Sequence, residues 1–191
     1  MATEEQILYL TFDDGPVPGP TQFVTEQLEK YNAKATFFCI GDNVRKYPSI
    51  FEKVLIDGHA IGNHTFNHLK GWSTSNQRYL ENINLCNAQF TTHNVEPINF
   101  FRPPYGRITN AQIKILKSQY QIVMWDVLTH DYSRSISPEH CLKGSINATR
   151  SGSIIVFHDS LKAERNLTYV LPRFLDHFAS QGFMFKTLLN T

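Results

Sequence analysis

The sequence predicts an α/β domain built on a largely parallel sheet. Short apolar segments typical of buried strands alternate with longer segments whose apolar residues recur at helical spacing. No fixed-period repeat, low-complexity tract or linker interrupts this alternation, so we expect one domain over residues 1–191 with its core at about 7–188. Groups of polar residues also follow the ends of predicted strands, which is where parallel α/β sheets build their sites.

The first half of the chain contains four predicted strands with helices between them. Thr21 is a candidate N-cap for the first helix, Gly41 closes the second strand, and Pro48 lies where a helix prefers to start. The strands are predicted at 7–10, 35–40, 59–62 and 98–101, and the helices at 21–31, from Pro48 to Gly58, and at 75–94.

The second half continues the same alternation. Thr109 caps a predicted helix, Ser137 and Pro138 open another, and the last helix is expected to break near Pro172. The strands are predicted at 121–126, 153–157 and 183–188, and the last helix is predicted to end at Gln181.

Composition narrows the function classes. The 191 residues are 41% hydrophobic and 18% charged, with a net charge of +1, which is ordinary for a globular protein and gives no reason to expect a nucleic-acid or membrane partner. The three cysteines include no C-x-x-C pair, so a disulfide framework or a cysteine zinc site is not expected. We expect a monomer.

The start of the chain carries no recognisable leader. Residues 1–6 are short and polar, which is unlike a signal peptide. The protein therefore stays in the cytoplasm, or the chain begins after a removed leader and the protein is periplasmic or secreted, and the sequence leaves both interpretations open.

Two adjacent carboxylates, Asp13 and Asp14, follow the first predicted strand within the segment TFDDGP. Carboxylates at the end of a buried strand are costly to bury unpaired. They are explained if one binds a cation and the other handles a proton, and the alternative is a solvated Asp-Asp-Gly-Pro turn.

His64 and His68 are four residues apart, so both imidazoles can face one cation from a helical turn or a tight loop. Together with Asp14, which ends a neighbouring strand, they make a set of two histidines and one carboxylate. Such a set leaves positions open for water and substrate, as a catalytic zinc site requires. The alternative is a pair of surface histidines.

The remaining polar residues suggest an acid and a base. With Asp14 on the metal, Asp13 is free to take a proton from metal-bound water, and Arg102 is the natural partner to hold it ionised, unless that pair is only structural. His158 follows a strand that is apolar on both faces and could act as a general acid oriented by Asp131, the alternative being a rim histidine.

Aromatic residues complete the candidate site. Tyr105 follows two prolines on a rigid turn and could offer its backbone N–H to a developing oxyanion. Trp72, Trp125 and Tyr132 are candidate apolar or sugar-stacking surfaces, or else parts of the core or of a groove wall.

Taken together, five segments in this order resemble the motifs of the polysaccharide deacetylase family, carbohydrate esterase family 4. The segment TFDDGP, the H-[ST]-x-x-H histidine pair and the R-P-P-Y run match directly, and the other two are similar to the D-x-x-D-W and L-x-L-x-H motifs. The matching positions are 11–16, 64–68, 102–105, 131–132 and 154–158.

The resemblance implies a distorted (β/α) barrel with seven or eight strands, and it implies a role for each matching residue. The metal, usually zinc, with cobalt or another divalent transition metal as alternatives, would be bound by Asp14, His64 and His68. The other implied roles are Asp13 as general base supported by Arg102, His158 as general acid tuned by Asp131, Tyr105 as backbone oxyanion donor, and Ile154 and Val156 as walls for the acetyl methyl group.

The implied activity is a metal-dependent removal of acetate from N-acetylglucosamine residues of chitin, chito-oligosaccharides or peptidoglycan. Two alternatives remain, an O-acetyl esterase acting on xylan and a non-catalytic glycan-binding module. The fourth motif departs from the family because Leu128 replaces its first Asp and Tyr132 replaces its Trp, which bears on substrate preference.

Overall fold

The computed structural model describes residues 6–190, in which parallel strands form one sheet with helices packed against it. The strands are β1 (Ile7–Asp13), β2 (Thr36–Cys39), β3 (Ala60–Asn63), β4 (Phe100–Phe101), β5 (Gln121–Ile122), β6 (Val127–Leu128), β7 (Ile154–His158) and β8 (Met184–Phe185). Their order in the sheet is β5-β4-β3-β2-β1-β7-β6, and β8 pairs with the beginning of β1.

The helices lie between these strands, as the alternation predicted. They are α1 (Pro20–Lys30), α2 (Gly41–Lys46), α3 (Pro48–Ile56), α4 (Asn76–Thr91), α5 (Asn110–Leu116), α6 (Pro138–Ala148) and α7 (Glu164–Ala179). Within residues 6–190, no helix has the length and apolar character needed to cross a membrane.

The predicted fold class is confirmed. Seven parallel strands follow one path through the sheet of the described residues, and an eighth pairs with β1. No pairing joins β5 to β6 in this part of the chain, so the sheet is an open half-barrel rather than a closed ring.

Strand β1 lies at the centre of the sheet, between β2 and β7. Side chains alternate along a strand, so Leu8, Leu10 and Phe12 share one face and are fully buried. The Phe12 ring stacks on Phe37 at 5.1 Å and on Phe157 at 5.7 Å. The opposite face carries Thr11 and Asp13, which turn toward the site described below.

The predicted strand at 121–126 is wrong, because the chain leaves the sheet after Ile122 and re-enters it at Val127. The carbonyl groups of Val123 and Met124 accept hydrogen bonds from the Arg102 guanidinium, at 3.2 and 3.1 Å. The buried guanidinium of Arg102 thus occupies backbone carbonyl groups that a continuous strand would use for hydrogen bonds to a neighbouring strand.

Asp126, the last residue of that predicted strand, lies outside the strands of the sheet. It precedes β6, and its carboxylate accepts a hydrogen bond from the Ile154 N–H at 2.9 Å. Asp126 therefore ties β6 to the start of β7.

The predicted break near Pro172 does not occur, and α7 continues through this residue. The buried face of α7 offsets the loss of one helical hydrogen bond. That face comprises Leu167, Val170, Leu171, Phe174, Leu175 and Phe178.

Two features at the starts of helices also differ from expectation. The short helix α2 was not predicted, and its Asp42 pairs with Arg45 and Lys46 one turn later. Thr21 is not an N-cap, because α1 begins at Pro20 after Gly19. The Thr21 hydroxyl instead accepts a hydrogen bond from the Val17 N–H at 2.7 Å.

Asp159 holds the turn that follows β1. Its buried carboxylate accepts a hydrogen bond from the Gly15 N–H at 3.0 Å and another from the Thr21 hydroxyl at 2.6 Å. A Cβ atom added at Gly15 would lie 1.9 Å from Asp159 Oδ2, so only glycine fits here without a shift of the carboxylate. These contacts make Asp159 a structural residue of this turn.

We expect Gly15→Ala to destabilise the fold by about 1–3 kcal/mol, the usual cost of overpacking a filled site. Gly144→Ala is the matched control, because nothing lies within 4 Å of its added Cβ on α6. That control should stabilise the fold by about 0.5–1 kcal/mol, since alanine is the better helix former. Urea unfolding of both variants checks the opposite signs, and equal effects would contradict the packing argument.

Candidate active site

A cavity of about 220 Å³ opens where the strands β1, β3 and β7 end. Most of the sequence-predicted site residues meet there. The cavity is lined by Asp13, Asp14, His64, His68, Tyr105, Gly106, Trp125, Leu128, Tyr132, Val156, His158 and Lys162.

Asp14, His64 and His68 form a cluster of candidate metal ligands, with one ligand atom from each residue lying within 4.8 Å of the others. Asp14 Oδ1 lies 3.8 Å from His64 Nε2 and 3.4 Å from His68 Nε2. Oδ1 of Asp14 is buried without a hydrogen-bond partner among the described residues, although orphaned buried carboxylate oxygens are costly. The cluster is therefore compatible with a divalent cation that would satisfy this oxygen.

The ring orientation of His64 also suits a metal ligand. Its Nδ1 lies 2.8 Å from the carbonyl oxygen of Arg102, so an Nδ1–H donates to that oxygen and Nε2 keeps a free lone pair toward Asp14. Burial lowers the pKa of His64 to about 3, and burial also lowers the pKa of His68. Both imidazoles are thus held in the neutral form that binds metal ions.

A strained loop, not a helical turn, brings the two histidines together. Thr65 and His68 have φ angles of 65° and 58°, in the left-handed region. The Thr65 N–H donates to Asn63 Oδ1 at 2.7 Å, and the Leu69 N–H donates to the Thr65 hydroxyl at 3.0 Å. Left-handed conformations of non-glycine residues cost free energy and concentrate at functional sites.

Asp13 is held by a buried ion pair. Arg102 Nη1 lies 2.8 Å from Asp13 Oδ1 and donates a second hydrogen bond to the Thr11 hydroxyl at 2.7 Å. The Arg102 side chain is fully buried, with its guanidinium carbon 4.1 Å from the centre of the Phe38 ring. These contacts fix Asp13 as an oriented carboxylate beside the metal-ligand cluster.

His158 and Asp131 form the second buried acid–base pair. His158 Nδ1 lies 2.7 Å from Asp131 Oδ1, and the backbone N–H of His158 donates to Asp131 Oδ2 at 2.7 Å. Burial lowers the pKa of His158, but the charge and hydrogen bond of Asp131 outweigh burial and raise this pKa to about 9. His158 is therefore protonated at neutral pH.

Tyr105 lies at the cavity mouth on the short 3₁₀ turn Pro104–Gly106, with φ 61°. Its ring is 4.5 Å from the ring of His68. Gly106, the next residue, has φ 63°, and a Cβ there would meet the Trp125 ring at 2.3 Å. This glycine allows Trp125 to reach the cavity wall.

The apolar wall differs in one residue from the expectation. Val156 and Trp125 line the cavity and Tyr132 packs edge-on against His158 at 4.9 Å, but Ile154 does not line it. Ile154 is two residues earlier on the same face of β7, where it packs against a deeper apolar cluster. Leu128, opposite Val156 in the register of β6 and β7, takes that place in the wall.

Sequence reasoning also missed two contributors. Thr11 was read only as part of a motif, yet its hydroxyl bridges Arg102 and the carbonyl of Ile155. Lys162 lines the cavity from the turn after β7, and an isolated surface lysine gives no pattern from which this could be predicted.

A family model described as polysaccharide deacetylase matches residues 1–122. The chain belongs to the polysaccharide deacetylase family. A peptidoglycan-N-acetylglucosamine deacetylase of Bacillus cereus is 37% identical to it over 188 residues, which cover 96% of this chain and 87% of the relative.

Two further polysaccharide deacetylase relatives extend this likeness. A chitooligosaccharide deacetylase of Azorhizobium caulinodans is 37% identical over 163 residues, covering 80% of this chain and 73% of the relative. A solved structure of a peptidoglycan N-acetylglucosamine deacetylase superimposes with a TM-score of 0.92 at 28% identity, covering 98% of this chain and 88% of the other.

We expect Asp131→Asn to destabilise this deacetylase-family fold in a pH-dependent way. The pKa of His158 is about 9 in the fold and 6.5 ordinarily, so pairing with Asp131 stabilises the fold fully below pH 6.5 and this stabilisation is lost as pH rises through about 9. The difference in unfolding free energy between wild type and variant should shrink by about 3 kcal/mol across that window.

Urea unfolding at several pH values, with EDTA present, measures this difference. Asp42→Asn is the control, because Asp42 pairs with Arg45 and Lys46 on the surface and no histidine is involved. A pH-independent effect of Asp131→Asn would contradict the assigned pairing.

Proposed function

We propose that this protein is a metal-dependent hydrolase that removes acetyl groups from N-acetylglucosamine residues of a glycan, with zinc as the cation. The proposal rests on one observation above all. Two buried pairs, Asp13 with Arg102 and His158 with Asp131, border the same cavity as the metal-ligand cluster. A site that only bound a glycan would not need a held base and a held acid beside a cation site.

Asp14, His64 and His68 would hold the cation. A bound divalent cation polarises a carbonyl group and eases the ionisation of a water molecule. The chain supplies this set with two neutral imidazoles and one orphaned carboxylate oxygen, a combination typical of catalytic zinc sites.

Asp13 is the proposed general base. Arg102 engages its Oδ1, which leaves Oδ2 to accept a proton from the attacking water. The oxygen of that water then adds to the acetamide carbon. Burial of the ion pair keeps the carboxylate in one orientation, so little reorganisation accompanies proton transfer.

His158 is the proposed general acid. Asp131 fixes the Nδ1–H of His158, which leaves Nε2–H to protonate the sugar nitrogen as the carbon–nitrogen bond breaks. A pKa of about 9 keeps His158 protonated at neutral pH, and it suits a donor to a basic amine. The products are acetate and a glucosamine residue.

The cavity walls suit an acetyl group. The backbone N–H of Tyr105 is the proposed donor to the developing oxyanion, presented by a left-handed turn. Trp125, Leu128 and Val156 offer an apolar surface for the methyl group, and Tyr132 adds a wall beside His158. Leu128 increases this apolar surface where the family motif has a carboxylate.

We expect metal-dependent acetate release from chitopentaose and from peptidoglycan fragments. Protein stripped with EDTA should lose this activity, and zinc or cobalt should restore it. Asp13→Asn and His158→Asn should each lower kcat by about 10²–10⁴-fold, the usual contribution of general acid–base catalysis. Acetate is measured by a coupled assay, and bound zinc is measured for each variant.

His93→Asn is the control, because His93 pairs with Glu52 on the surface, away from the cavity. If acetate is released only from acetylated xylan, the proposal is wrong and the protein is an O-acetyl esterase. If the protein binds a glycan but releases no acetate with any metal, the proposal is wrong and the protein is a non-catalytic glycan-binding module.

A further inference from the structure

The mouth of the cavity carries aromatic rings with cations lying over them. On one side, the ring of His68 contacts Tyr105 at 4.5 Å, and Lys70 Nζ lies 5.7 Å from the centre of the Tyr105 ring. Tyr105 is 53% exposed, so this ring faces whatever enters the cavity from outside.

The other side repeats the arrangement around the proposed acid. The ring of His158 contacts Tyr132 at 4.9 Å, and Lys162 Nζ lies 5.1 Å from the centre of the Tyr132 ring. His68 and His158 are thus each followed outward by a tyrosine ring and then by a lysine.

A third cation extends the first side into a neighbouring groove. Trp72 packs edge-on against Tyr105 at 5.3 Å, and the Arg107 guanidinium carbon lies 4.4 Å from the centre of the Trp72 ring. Both residues line an open groove of about 540 Å³, which shares Gly106 with the cavity. A chain of sugars leaving the cavity on this side therefore meets an aromatic ring and a guanidinium.

These cations are not neutralised within the protein. Lys70, Arg107 and Lys162 are exposed, and none forms an ion pair with a carboxylate within residues 6–190. Of the acidic residues deeper in the site, Asp13 pairs with Arg102, Asp131 pairs with His158, and Asp14 belongs to the metal-ligand cluster. The net charge of the chain is only +1, so three unpaired cations at one mouth are a local concentration of positive charge.

We propose that this cationic rim, formed by Lys70, Arg107 and Lys162, selects a glycan in which sugars next to the reacting N-acetylglucosamine carry a carboxylate. The lactyl group of N-acetylmuramic acid is such a carboxylate. This inference rests on the proposed function and specifies its substrate class, favouring a peptide-free strand of N-acetylglucosamine and N-acetylmuramic acid, whose lactyl carboxylates are free, over a neutral chito-oligosaccharide.

The spacing of the cations favours separate carboxylates over a polyphosphate. The three cations lie over three different rings instead of converging on one point, as a phosphate clamp would require. A ring beside each cation matches a sugar, whose apolar face packs on the aromatic surface while its acidic substituent meets the charge.

The test compares three soluble tetrasaccharides. They are the peptide-free alternating strand of N-acetylglucosamine and N-acetylmuramic acid, its lactyl methyl ester, and chitotetraose. With zinc present, the ratio of kcat/KM for the acid to kcat/KM for the ester should exceed one in the wild type. Arg107→Gln should lower this ratio by up to about fivefold, the size of one exposed ion pair, and 0.5 M salt should lower it as well.

Arg173→Gln is the matched control, because Arg173 also stacks on an aromatic ring, Tyr169 at 3.9 Å, but on α7 outside both cavities. This control should keep the wild-type ratio. Lys162→Gln provides a second variant on the opposite side of the mouth, and thermal unfolding shows whether each variant is folded.

Equal kcat/KM for acid and ester in the wild type, or a ratio that Arg107→Gln and Lys162→Gln leave unchanged, would overturn the inference. Binding is measured in parallel by calorimetry with EDTA present, so that no acetate is released. If no glycan is deacetylated with zinc, the proposed function fails, and the Kd ratio of ester to acid still decides the inference on the rim.

Discussion

The buried guanidinium of Arg102 is the interaction on which the rest of the site depends. It binds Asp13 and Thr11 on the central strand and takes two carbonyl groups from the segment between β5 and β6. The backbone carbonyl oxygen of the same residue, Arg102, accepts a hydrogen bond from His64 Nδ1 and so orients that ring. The proposed base and one proposed metal ligand therefore depend on the same residue. Removing one partner of a buried ion pair typically destabilises a fold by about 3–5 kcal/mol.

The arrangement around the cavity separates two kinds of electrostatic environment. Burial lowers the pKa of His64 and of His68 despite the nearby Asp14 carboxylate, so the neutral form of both imidazoles is favoured. His158 is buried against Asp131 and is protonated. Histidine therefore has opposite charge states on two sides of one small cavity, because only His158 among these three histidines is hydrogen-bonded to a carboxylate in the described part of the chain.

The sequence predicted the alternation of strands and helices and brought most site residues together, because apolar periodicity and ordered motifs are local signals. The prediction from sequence was wrong where contacts between residues far apart in the chain determine the structure. The strand predicted at 121–126 is interrupted by the Arg102 guanidinium, and Pro172 is tolerated because α7 buries a long apolar face. Ile154 shares a face with Val156 but packs against a separate apolar cluster instead of lining the cavity, a distinction that the alternation of side chains alone does not give.

The backbone conformation at Asp14 brings the proposed base, Asp13, and a proposed metal ligand, Asp14, to the same cavity. Neighbouring side chains on a regular strand point to opposite faces, but φ of 84° at Asp14 lets Asp13 and Asp14 line the same cavity. The two residues are adjacent in the chain, so their backbones are joined by one peptide unit. A backbone shift that brings Asp14 closer to its histidine neighbours also moves the backbone of Asp13, so the position of the proposed base is coupled to that of the metal-ligand cluster.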